Sequence, residues 1–188
     1  MRADISAAGD HQLKRAWKKI LITGSSGAGK STLARSMGDT LQLEVCTLGL
    51  ILWNKAGSRV PDDQWRRELE RLLQRDSWIL EGVDGSRLSA VEMGLAACDA
   101  AIFLDMPRTV CFWRALKRVF ALGPQKPLPA HLRLVNWIWW YYPSRVKPKL
   151  LELFMAQAPY KPVMIIRSQV ELARFLASFS ETGAGGPC

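Results

Sequence analysis

The chain has 188 residues, enough for one domain with a sizeable core, and 48% of them are apolar, with eight tryptophans. Its formal charge of +9 favours anionic ligands, yet the basic residues are spread over several segments, which argues against nucleic acid as the main ligand. No run of about 18 uninterrupted apolar residues exists, so no membrane span is indicated. Cys46, Cys98, Cys111 and Cys188 form no C-x-x-C pair and mostly lie in apolar segments, the pattern of reduced thiols in a cytoplasmic protein rather than of a disulfide or zinc framework.

Residues 1–17 lack an apolar h-region and read as a loose leader, not a signal peptide. KKILIT then reads as a buried strand and STLARSMGDTL as an amphipathic helix. Between them Gly24, Ser25, Ser26, Gly27, Ala28, Gly29, Lys30 and Ser31 spell G-x-x-x-x-G-K-[ST], with Thr32 next. Glycines there let successive backbone N–H groups turn inward on a phosphate chain, and only residues without bulk permit it. Lys30 adds a point charge for β- and γ-phosphates, the Ser31 hydroxyl can ligate Mg²⁺, and the helix from about Lys30 aims its N-terminal dipole at the same anion. A flexible Gly/Ser turn is the alternative for the loop alone. The strand before it and the helix after it are the context that a phosphate cradle demands.

LEVCTLGLILW reads as a short strand running into a loop. Pro61 marks a helix start, and DDQWRRELERLLQRD places Trp65, Leu69, Leu72 and Leu73 on one face of an exposed amphipathic helix. SWILEG is a strand, RLSAVEMGLAAC a helix, AAIFLD a buried strand ending in Asp105, and RTVCFWRALKRVFAL a helix. GPQKPLPA interrupts the pattern with breakers. The aromatic HLRLVNWIWWYY follows as a buried or partner-facing helix that Pro143 stops, and KPKLLELFMAQ begins another. PVMII is the last strand, SQVELARFLASF the last helix, and residues 181–188 a flexible tail. Apolar strands alternating with helices predict a three-layer α/β/α domain over residues 18–180, with a parallel sheet of about five strands and a short lid-like insertion near residues 121–147.

The segments GSSGAGKSTLAR, WILEG, AIFLDMPRTVCFWRALKR, WIWWYYPSRVKPKLLELF and VMIIRSQVEL run in order over most of residues 18–177. Together they resemble the P-loop nucleoside-monophosphate-kinase-like proteins, and more narrowly the bacterial adenylate-kinase-related or DNA topology modulation group. The resemblance implies that Asp105 supports Mg²⁺ through water, with a helix N-cap before Pro107 as the alternative. It implies that Arg114 packs on the nucleotide base and that Arg118, one turn later, reaches the transferring phosphates, against a merely solvated basic face. Arg145 and Lys147 take the far side of a closing lid or solubilise a turn, and Arg167 lines the base pocket.

The chain also departs from these relatives. Gly49 stands where the resemblance leads us to expect an aspartate near the acceptor, and the region after Phe120 is shorter, without an arginine-rich lid. Glu81, with Asp84 nearby, offers a substitute carboxylate at the end of a strand, where open α/β sheets bind ligands, although acids in EGVDG also suit turn chemistry. The expected function is ATP- and Mg²⁺-dependent phosphoryl transfer to a small acceptor, with Lys30, Arg118 and Glu81 in the chemistry. A regulatory nucleotide-binding protein or slow NTPase is the first alternative and a DNA-associated factor the second. The sequence leaves the acceptor and the oligomeric state open.

Overall fold

The computed structural model describes residues 17–52, 58–83, 87–121 and 135–180. The expected leader up to residue 16, the tail, Asp84, Cys188 and residues 122–134 of the lid-like insertion lie outside the described residues.

Strand β1 (Lys19–Gly24) leads through the glycine loop into helix α1 (Lys30–Leu41). Strand β2 (Val45–Thr47) runs directly into a short helix, α2 (Leu48–Leu52), where the sequence suggests a loop. LGLIL has no proline or turn residue besides Gly49, and burying Leu48 and Leu52 draws the segment into a helical turn. Helix α3 (Asp62–Leu73) starts after Pro61, with Asp62 and Asp63 in the first turn, where the helix dipole favours anions. Strand β3 (Trp78–Val83), helix α4 (Leu88–Ala97), strand β4 (Ala100–Leu104) and helix α5 (Arg108–Ala121) follow. A π-helix (Trp137–Val146) continues without a break into α6 (Lys147–Gln157), and β5 (Val163–Ile166) and α7 (Gln169–Ser180) complete the order.

The five strands form one parallel sheet in the order β2-β3-β1-β4-β5, so β1 is central and the loop after it opens at the carboxyl edge. Alternation along the strands divides the core. Leu21, Trp78, Leu80, Ala101 and Phe103 pack toward α3, α4 and α6 with Leu69, Val91, Leu150 and Phe154. Ile20, Ile22, Ile79, Ile102 and Leu104 pack the other way with Leu33 and Met37 of α1, Cys111 and Ala115 of α5, and Phe179 of α7. Two apolar faces covered by helices make the three-layer α/β/α arrangement. Each large side chain buried in them contributes about 1.5–3 kcal/mol. Trp17, the final residue of the expected leader, belongs to this core, with its ring centroid 6.2 Å from that of Phe179.

Pro143 does not stop the aromatic helix. It lies inside the π-helix, whose wider turn relieves the contact that a proline ring makes with the carbonyl four residues back. That carbonyl, Trp139 O, accepts from Arg108 Nη1 at 3.3 Å, and the Ser144 hydroxyl donates to Trp140 O. Ile138 and Tyr142 face inward, whereas Trp140 and Tyr141 are exposed.

Candidate active site

The loop owes its path to close backbone approaches. A Cβ on Gly24, whose φ is 148°, would lie 2.6 Å from Leu104 O, and one on Gly27, at φ 82°, would lie 2.2 Å from Cys111 O. The cradle is thus wedged between β4 and α5, and only glycine fits those two positions. Gly29 caps α1, and no acidic side chain occupies the first turn of that twelve-residue helix, leaving its positive end for an anion. The Lys30 ammonium folds back over the loop and donates to Gly24 O at 2.9 Å and Ser25 O at 3.0 Å.

At the carboxyl edge of β3, Glu81 is 3% exposed. Its Oε2 accepts from Ser31 Oγ at 3.0 Å and its Oε1 from Thr47 Oγ1 at 2.8 Å. The parallel register that pairs Thr47 with Glu81 brings these groups together. Asp105, with its side chain 11% exposed, faces elsewhere: Lys147 Nζ lies 2.7 Å from Oδ1 and Arg167 Nε 3.7 Å from Oδ2. Arg145 is exposed.

On the α5 side of the loop, Arg114 donates from Nη1 to Ala28 O at 3.3 Å and from Nη2 to Gln169 Oε1 at 2.7 Å. Arg118 Nη2 lies 3.3 Å from Ser26 Oγ. A cavity of about 580 Å³ opens here, lined by Lys30, Thr32, Arg35, Arg114, Arg118 and Gln169 among others. Arg35 and Gln169 belong to no motif of their own. Arg35 lies on the helix that the motif opens, and Gln169 starts the helix after the last strand, the two signals that point to them. Arg167 contributes its side chain to Asp105 and does not line this cavity.

No family model matches the chain, and no curated protein matches it in sequence. Solved structures do match. Shikimate kinase from Acinetobacter baumannii, in complex with shikimate, superposes with a TM-score of 0.57 over 92% of this chain and 99% of its own, at 16% identity. The chain has a three-layer α/β/α P-loop fold. A sugar kinase from Janibacter sp. gives 0.52 over 89% and 96% of the two chains at 17% identity. Shikimate kinase from Bacteroides thetaiotaomicron gives 0.52 over 88% and 98% at 16% identity. At such identities the likeness establishes a shared fold.

Within this P-loop fold, Gly49 lies on α2, and a Cβ there would meet only Thr47 Cγ2, at 3.7 Å. Packing therefore leaves room for a larger side chain at position 49. Among the described residues no group of three or more His, Cys, Asp and Glu side chains is arranged to hold a metal ion. Mg²⁺ that arrives with a nucleotide needs less, since it is held through one or two carboxylates plus the substrate's phosphates. Ser31 and Glu81 present hydroxyl and carboxylate oxygens 3.0 Å apart, a hard donor set that fits it.

Proposed function

We propose that the chain binds a nucleoside triphosphate with Mg²⁺ and transfers its terminal phosphoryl group to a small acceptor. The observation that carries this reading is the Lys30 ammonium over the start of a glycine loop, with Ser31 held by buried Glu81 at the same helix terminus. The P-loop fold supports it, and the narrower resemblance to the adenylate-kinase-related and DNA topology modulation group belongs to the same reading.

Ser31 and Glu81 would hold the metal, which when bound supplies charge neutralisation at the phosphate oxygens. The chain itself supplies position and field. Loop amides and the α1 terminus bind the phosphates. Lys30 and Arg118 face the charge that develops on the transferring group, and Arg114 with Gln169 and Thr32 frames the base end. Asp105 contributes by anchoring Lys147 beside the loop. The metal contact would then lie at Glu81, beside Ser31, and not at Asp105, which pairs with Lys147.

A second reading, an NTPase without an acceptor, is favoured by Gly49, which leaves α2 without the carboxylate that the resemblance leads us to expect. A product screen with labelled ATP and Mg²⁺ over nucleotides, nucleosides, sugars and small acids separates the two, because phosphate released only to water means hydrolysis. The phosphate cradle has its own test. Lys30→Ala is expected to weaken ATP binding by roughly tenfold or more, the scale of a lost charge-assisted contact, while leaving adenosine binding nearly unchanged. Equal losses for both ligands in a titration would count against the cradle.

A further inference from the structure

A second cavity, of about 470 Å³, adjoins the P-loop at its first residue. Ser25 is the loop residue in its wall; it is 5% exposed, and its Oγ has no hydrogen-bond partner among the described residues. Met106, Ile138, Leu151 and the ring of Tyr142 give the cavity an apolar lining, and Arg108, Lys147 and Asp105 bring charge to it. Asp105 is shared between Lys147 at 2.7 Å and Arg167 at 3.7 Å, the latter outside the cavity wall, and Arg108, whose Nη1 also donates to Trp139 O at 3.3 Å, adds a second cation to the wall itself. The surplus favours an anion.

The position of the Lys30 ammonium fixes the direction of a bound nucleotide. That group acts on β- and γ-phosphates, and here it lies on the carbonyls of Gly24 and Ser25. The terminal phosphate therefore belongs at the Ser25 end of the loop, beside this second cavity, while Thr32, Arg114 and Gln169 lie at the other.

We infer that the second cavity is the acceptor site, and that it takes a small hydroxylated anion with an apolar body, an aromatic or branched hydroxy acid. The inference rests on the nucleotide reading above. The anionic group lies toward Lys147 and Arg108, the body against Met106, Ile138 and Leu151, and the hydroxyl toward Ser25. In the transfer, the acceptor's hydroxyl oxygen bonds to the γ-phosphorus as the bond to the β–γ bridging oxygen breaks. The electron pair leaves on the nucleoside diphosphate, and the hydroxyl proton passes to water. A polyol would set several hydroxyls against apolar side chains that offer them no partner, and is disfavoured for that reason.

The test titrates the full chain, without nucleotide, with 4-hydroxyphenylacetate, with its neutral amide and with the polyhydroxylated anion glucuronate, reading binding by calorimetry. Mg-ADP is titrated in parallel. The aromatic acid is expected to bind at least about tenfold more tightly than either comparison ligand. Lys147→Gln is expected to erase its advantage over the amide, and Leu151→Trp, which fills the cavity from a half-buried wall, to abolish binding. Thermal melts identify a variant that fails to fold, in which case the other variant and the wild-type comparison decide. Equal binding of the three ligands, or full retention by a folded variant, overturns the acceptor site even if Mg-ADP binds normally. A chain that binds the acid but not Mg-ADP overturns the nucleotide reading instead and removes the transfer step.

Discussion

A carboxylate that is 3% exposed needs partners for both oxygens, and Glu81 finds them in the hydroxyls of Ser31 and Thr47. Neither partner is a cation. The side chain is thus satisfied by two modest hydrogen bonds, and its negative charge is left to act at the loop. That placement favours a role on the metal side over the acceptor contact expected from its position at the strand end. Glu81→Gln keeps the size and removes the charge. ATP affinity in EDTA is expected to change little, while the gain in affinity on adding Mg²⁺ falls by about 10- to 100-fold, the range for losing a group that supports a metal ligand. Titrations with and without Mg²⁺ read this directly, and an undiminished Mg²⁺ effect in the variant would take Glu81 out of the metal site. Thr47 and Ser31 are 16 residues apart in sequence and Glu81 is 34 beyond Thr47, so no local pattern joins the three. Their meeting depends on the β2-β3-β1 order and the pairing of Thr47 with Glu81, which only the assembled sheet defines.

Among the elements, the π-helix shows where local rules give way to packing. Pro143 reads as a helix stop because it lacks an N–H and crowds the preceding turn, and both facts remain true in the fold. What the sequence does not display is Arg108, 35 residues earlier, which donates to Trp139 O at 3.3 Å and lies 5.7 Å from the Trp139 ring. With that carbonyl engaged and Ile138, Tyr142 and Val146 buried, widening the turn is preferable to ending the helix. Arg108 and Pro143 are therefore expected to be energetically coupled. Arg108→Met is expected to destabilise the fold by about 0.5–1.5 kcal/mol. In a Pro143→Ala background, which restores an N–H at that position, the same change is expected to do little. A urea double-mutant cycle measures the coupling, and additive effects of the two substitutions would remove this account of the π-helix.

At the scale of the whole molecule, the legible features are those with a local period or a fixed spacing. Apolar strands such as KILITG and AAIFL, separated by amphipathic helices, predict the layered parallel sheet, and the glycine spacing from Gly24 to Gly29 predicts the turn between β1 and α1. Contacts between elements distant in sequence, such as Asp105 with Lys147 or Arg114 with Gln169, follow from topology and carry no local pattern. The thiols show the same division: apolar surroundings mark them as buried, but only the fold sets how strongly. Cys46 on β2, Cys98 before β4 and Cys111 on α5 are free and buried, and each thiol is pushed up chiefly by burial. Cys98, which donates to Leu95 O at 3.5 Å, is pushed furthest, from 9.0 to about 11. Between those values the unfolded chain releases its proton while the folded chain keeps it, so the folded state binds more protons and stability falls as pH rises. The contribution is intact below about pH 9 and is lost on the way to pH 11, amounting to on the order of 2–3 kcal/mol for Cys98. Other groups titrate in this range too, so the comparison that isolates the thiol is wild type against Cys98→Ala. Urea unfolding at intervals from pH 8 to pH 11 is expected to give the variant a shallower decline, and parallel curves would mean that Cys98 does not hold its proton through the fold.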